Sequence, residues 1–119
     1  MSTTYDFGSG PVPAHRHTNP DGKLGGWVAD TATVGPTARI GKNAWVYGNA
    51  RVSGDAQVYG FAQVSGDAQV FDYAKVFGNA QVFDYARVYG FARVYGFAQV
   101  FDYARVSGDA QVSGESVLV

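Results

Sequence analysis

Residues 80–106 read AQVFDYARVYGFARVYGFAQVFDYARV, and the block FDYA begins at Phe71, Phe83 and Phe101 while YGFA begins at Tyr59, Tyr89 and Tyr95. Beneath the aromatic repetition lies a stricter one. Val82, Val88, Val94, Val100 and Val106 are six residues apart, and the same step extends back through Val76, Val70, Val64, Val58, Val52, Val46, Ile40 and Val34 to Val28 and forward through Val112 to Leu118. Four residues after each aliphatic position comes a small one, Ala32, Ala38, Ala44 and onward to Ala110, with Ser116 last. A six-residue period cannot hold one face of a helix, because about 3.6 residues per turn carries the valines around the axis. It suits short strands. In an A-x-V strand the Ala and the Val point inward and the residue between them points outward, which leaves the next three residues to turn a corner.

The corner triplets are SGD, YGF, YGN, FGN, FDY and SGE, so their middle residue is Gly or Asp. Both tolerate positive φ, Gly freely and Asp at some cost. The pattern across residues 27 to 118 resembles the hexapeptide-repeat superfamily of left-handed parallel β-helices, whose members place Gly directly after the aliphatic residue, as at Ile40-Gly41. The resemblance implies an all-β, single-chain solenoid with three hexads per coil. Residues eighteen apart then stack at about 4.8 Å per coil, and the sixteen hexads make five coils. Residues 1–26 break the repeat and, with Tyr5, Phe7, Pro11, Pro13, Pro20 and Leu24, suit an irregular N-terminal cap on a β-helix of residues 27–119.

Composition narrows the function. A chain of 119 residues makes one domain, and a net charge of −1 argues against a general nucleic-acid or anionic-membrane binder. The absence of cysteine removes disulfides and thiolate metal sites. The first residues lack the basic start and apolar run of a secretory signal, and no stretch has the apolar length of a membrane helix. A cytoplasmic or virion-associated protein is expected. Within the hexads, threonines, which form arrays on ice-binding solenoids, are confined to the first few at Thr31, Thr33 and Thr37.

Acyltransferases and carbonic-anhydrase-like proteins of the superfamily use histidine, in a loop between coils or as three zinc ligands. This chain has only His15 and His17, both ahead of the first hexad, and no loop interrupts the hexads. The resemblance therefore implies no catalysis and no cofactor. A degenerate acyltransferase-like or metal-binding oligomer, in which Asp21 or a second subunit completes a site around the two histidines, remains the alternative. The corner acids Asp55, Asp67, Asp72, Asp84, Asp102 and Asp109 recur as turn residues.

Stacking by eighteen sorts the outward residues into columns. One face presents Thr33, Arg51, Gln69, Arg87 and Arg105, and a second presents Arg39, Gln57, Lys75, Arg93 and Gln111. The third presents Trp45, Gln63, Gln81, Gln99 and Val117 and carries no charge, which marks it as a surface for homo-oligomerisation. The aromatic residues distribute over all three corners, as ladders that stiffen the corners rather than as a single ligand groove. The C-terminal SGESVLV offers a second place for attachment. Near-identity of the repeats fits recent duplication or consensus design alike, and a structural or self-assembling module is the function expected. The column of valines is the first thing to test. Val82→Asp sets an unpaired carboxylate in it at a cost of several kcal/mol, and cooperative unfolding followed by circular dichroism is expected to disappear.

Overall fold

The computed structural model describes residues 3–113 and the backbone of residues 117 and 118. Among these there is no helix. Strands β1 (Thr4–Asp6), β2 (Pro11–Thr18) and β3 (Leu24–Ala29) are followed by β4 (Thr33–Val34), β5 (Arg39–Ile40) and β6 (Trp45–Val46), after which a two-residue strand recurs every six residues as far as Val117–Leu118. The strands stack in parallel at a spacing of eighteen, with Val46 paired to Val64, Val64 to Val82 and Val82 to Val100. Three sheets result, one of eight strands and two of five, and they form the walls of a β-solenoid of about five coils.

The hydrogen bonding explains why so short a strand suffices. In the hexad of Gln63, three N–H groups donate to the next coil: Gln63 to Ala80 O at 3.0 Å, Ser65 to Val82 O at 2.9 Å and Asp67 to Asp84 O at 2.7 Å. Ala68 N–H turns back to Ser65 O at 3.2 Å and closes the corner. The pairing therefore continues around the bend. Inside, Val46 through Val100 and the alanines between Ala38 and Ala98 are wholly buried in one continuous cluster. Each Val contributes about 1.5–3 kcal/mol by burial.

Most corners have positive φ at the middle residue, for example +67° at Gly48 and +64° at Gly66. With φ positive at the first central position only and the bond from the fourth residue back to the first, they have the signature of type II′ turns. Three of these positions are aspartates, Asp72, Asp84 and Asp102, at φ 61°, 61° and 56°. Their presence has a local cause. The middle N–H of a corner donates to no backbone group among the described residues, and the Asp carboxylate below it supplies an acceptor: Gly90 N–H reaches Asp72 Oδ2 at 3.2 Å, and Asp102 N–H reaches Asp84 Oδ2 at 3.1 Å. The first corners follow another path. Neither Gly35-Pro36-Thr37 nor Gly41-Lys42-Asn43 has positive φ, as the ring of Pro36 requires at its own position. Gly41 is needed there for room, because a Cβ on it would lie 2.7 Å from the Cβ of Tyr59.

The segment ahead of the hexads is more regular than its composition suggests. β1 and β2 form an antiparallel hairpin, and β2 lies antiparallel on β3, extending the eight-stranded sheet past the first coil. Pro11 and Pro13 are tolerated because that half of β2 pairs with β1, while the half from Ala14 onward pairs with β3. Beyond β2, Asn19 acts as a strand of one side chain. Its Oδ1 accepts from Ile40 N–H at 2.8 Å and its Nδ2 donates to Ile40 O at 3.0 Å, so the edge of β5 is closed.

The corner geometry yields a paired test at Gly78, whose φ is +68° and whose Cβ would lie 2.9 Å from Gly96 N. Gly78→Ala is expected to destabilise by about 1–3 kcal/mol through strain at positive φ. Gly78→Asp should recover part of that loss, about 1 kcal/mol or more, by accepting from Gly96 N–H. Chemical denaturation of the two variants measures the difference.

Candidate functional site: the uncharged face

The solenoid sorts its charges by position. On the flat walls, Arg87 lies in register beside Arg105 and Lys75 beside Arg93. Among the described residues the one basic group within bridging distance of a carboxylate is His15, beside Asp30, so these wall cations have no described carboxylate within that distance. The hexad acids lie at the corners. Packing either basic wall against another protein would desolvate stacked like charges. The third wall has no such penalty along its middle: Gln63, Gln81 and Gln99 follow one another in register. The first two are half-buried and Gln99 is exposed. Val117 continues the column in backbone pairing with Gln99, while its side chain lies outside the described residues.

The N-terminal end of this wall differs from the sequence reading in two respects. The column begins one coil earlier, with Trp27 paired to Trp45, and β2 adds Arg16 beside Trp27, so the wall is bordered there by a cation. A step of eighteen back from Trp45 would have found Trp27. Trp45 itself is not an open anchor but half-buried under the hairpin. Tyr5 stacks on Trp27 at 4.6 Å and meets Trp45 edge-on at 5.6 Å, and Phe7 meets Trp45 edge-on at 5.5 Å and stacks on Tyr47 at 4.9 Å. The hairpin's aromatic side chains, which fit no hexad, are thereby accounted for.

At the corners the aromatic rings form the expected ladders. Tyr59, Phe77 and Tyr95 stack at 4.9 and 5.0 Å, Phe71 and Tyr89 at 4.9 Å, and Phe83 and Phe101 at 5.2 Å, with planes within 9° of parallel. One ladder along the uncharged wall is interrupted. Phe7 and Tyr47 stack on one side and Phe83 and Phe101 on the other, but between Tyr47 and Phe83 the coil supplies Ser65. A cavity of about 300 Å³ opens there, lined by Tyr47, Ser65, Phe83, Gln63, Gln81 and Asp84. The opposite edge of the same wall holds a second cavity of about 460 Å³ between Trp45, Asn43, Lys42, Arg16 and Phe61.

A family model described as YdcK Beta solenoid repeat matches residues 44–60. The stacked coils and this match fit a hexapeptide-repeat-like β-helix. None of the curated proteins and none of the solved structures compared with the chain matches it.

Within that fold the two histidines take separate roles in the cap. His15 donates from Nδ1 to Asp30 Oδ1 at 2.8 Å near the surface, and the buried His17 donates from Nε2 to Ala38 O at 2.9 Å. Asp21, the acid nearest to them in sequence, accepts from Lys23 N–H at 3.0 Å in the loop before β3. The described residues contain no group of three or more His, Asp or Glu side chains arranged to hold a metal ion. His17 serves instead as a second clamp on the first coil, beside Asn19.

The packing of Trp45 sets an expectation for the hairpin. Trp45→Ala removes the edge contacts of both Tyr5 and Phe7, and hydrogen exchange across residues 4–18 is expected to accelerate by tenfold or more, an opening cost of about 1.4 kcal/mol. Exchange in the coils beyond Val64 should be unchanged.

Proposed function

We propose that the chain is a non-catalytic structural module that self-associates through the uncharged wall. The supporting observation is the segregation of charge: two walls carry stacked cations with no partner among the described carboxylates, while the third presents Gln63, Gln81 and Gln99. The amides of these glutamines accept one described intramolecular bond, from Tyr47 Oη to Gln63 Oε1 at 3.3 Å, and otherwise retain donors and acceptors for a partner. The hexad acids fit the same reading, since Asp72 and Asp84 satisfy backbone N–H groups at the corners. Light scattering coupled to size exclusion tests the proposal. The protein is expected to run as an oligomer, and Gln81→Arg, which sets a charge in the middle of the wall, is expected to shift it to monomer with an unchanged melting temperature. A monomeric parent protein, or no shift in the variant, would contradict it.

A further inference from the structure

The shape of the uncharged wall specifies how two copies meet. Each coil enters the wall at one corner residue and leaves at another, four positions later. From the N-terminal side these pairs are Asn43 and Tyr47, Phe61 and Ser65, Asn79 and Phe83, and Phe97 and Phe101. In the first three pairs a ring on one edge faces a small side chain on the other. Phe61 projects 63% exposed, in the same coil as the gap that Ser65 leaves between Tyr47 and Phe83.

We propose that the protein forms a parallel homodimer about a two-fold axis running along the uncharged wall, in which Phe61 of each copy fills the aromatic gap above Ser65 of the other. A two-fold axis along the solenoid exchanges the two edges of the wall and keeps each coil at its own height. Phe61 of the second copy then arrives at the height of Ser65. The ladder spacing fits one ring: its neighbours stack at 4.9 and 5.2 Å, so an inserted ring lies one such step from Tyr47 and one from Phe83. The opening between Tyr47 and Phe83 is a groove open to solvent of about 300 Å³, with room for one ring. The same operation brings Asn79 opposite Phe83. It also brings the Phe7–Tyr47 ridge of the second copy to the cavity beside Asn43, where the rings meet Lys42 and Arg16 at its rim, a setting for cation–π contact. An antiparallel two-fold leaves each residue facing its own edge and loses this match.

The inference rests on self-association through this wall, and its own failure is separately visible. Sedimentation measures the dimer dissociation constant. Ser65→Phe completes the ladder from within and fills the gap, so dimerisation is expected to weaken by about tenfold or more while the melting temperature holds or rises. Phe61→Ala, at an exposed position, should weaken the dimer comparably without loss of fold. Because the chain has no cysteine, single cysteines report the register. Gln63→Cys and Gln99→Cys are each expected to cross-link to themselves through a short bifunctional thiol reagent, whereas a mixture of the two variants gives no enrichment of the mixed pair. A preference for the mixed pair would show an antiparallel dimer and overturn the inference while leaving self-association through the wall in place. A dimer indifferent to Ser65→Phe and Phe61→Ala would overturn the inference too, and a protein that stays monomeric would overturn both readings.

Discussion

Every wall of this molecule depends on one repeated act: each hexad from that of Trp45 to that of Arg87 donates three backbone N–H groups to the coil that follows, at the A-x-V strand and through the corner. Two-residue strands have almost no pairing energy in isolation, and their register is fixed only because the corners pair as well. Interior packing works to the same end. A column of Val over Val with Ala between leaves no space for a shifted coil, so the eighteen-residue step is enforced by hydrogen bonds outside and by close packing within.

The corners show how strain is tolerated when it is repeated. A positive φ at the middle residue is cheap for Gly and costly for Asp, yet three corners use Asp. At Asp72 and Asp84 the carboxylate offsets the strain by accepting from the N–H of the residue stacked on it, a donor for which the backbone has no acceptor. An FDY corner and a YGF corner are therefore two solutions of one geometric problem. The rings beside them stack at nearly the coil spacing, so the same translation that pairs the backbone also aligns the aromatic ladders.

Much of this was legible in the sequence because its causes are periodic. Val82 and Val100 could be placed as axial neighbours, and Tyr59 over Phe77, from spacing alone. Gly66 could be assigned positive φ from turn chemistry. What could not be read was specified by single contacts outside the period. Pro11 and Pro13 argue locally against a strand, and only the division of β2 between two partners explains why they are accepted. Asn19 closes the edge of β5 across twenty-one positions, and nothing in its neighbours announces that. Trp45 stood in the uncharged column as expected, but its burial under Tyr5 and Phe7 depends on where the hairpin folds, which no repeat dictates.

Stacked coils give each outward position a neighbour of its own kind, and the simplest sequence would make every column uniform. Two walls accept adjacent cations despite their mutual repulsion, which raises the cost of covering those walls. The third avoids charge along its middle and interrupts its aromatic columns at Asn79, between Phe61 and Phe97, on one edge and at Ser65 on the other, where a ring would stack on both neighbours. Folding alone gains from a ring there. A gap that weakens the ladder beside an exposed ring of matching size, on the wall least costly to desolvate, adds nothing to the stability of the single chain, and the proposed association is what would give it a physical rationale.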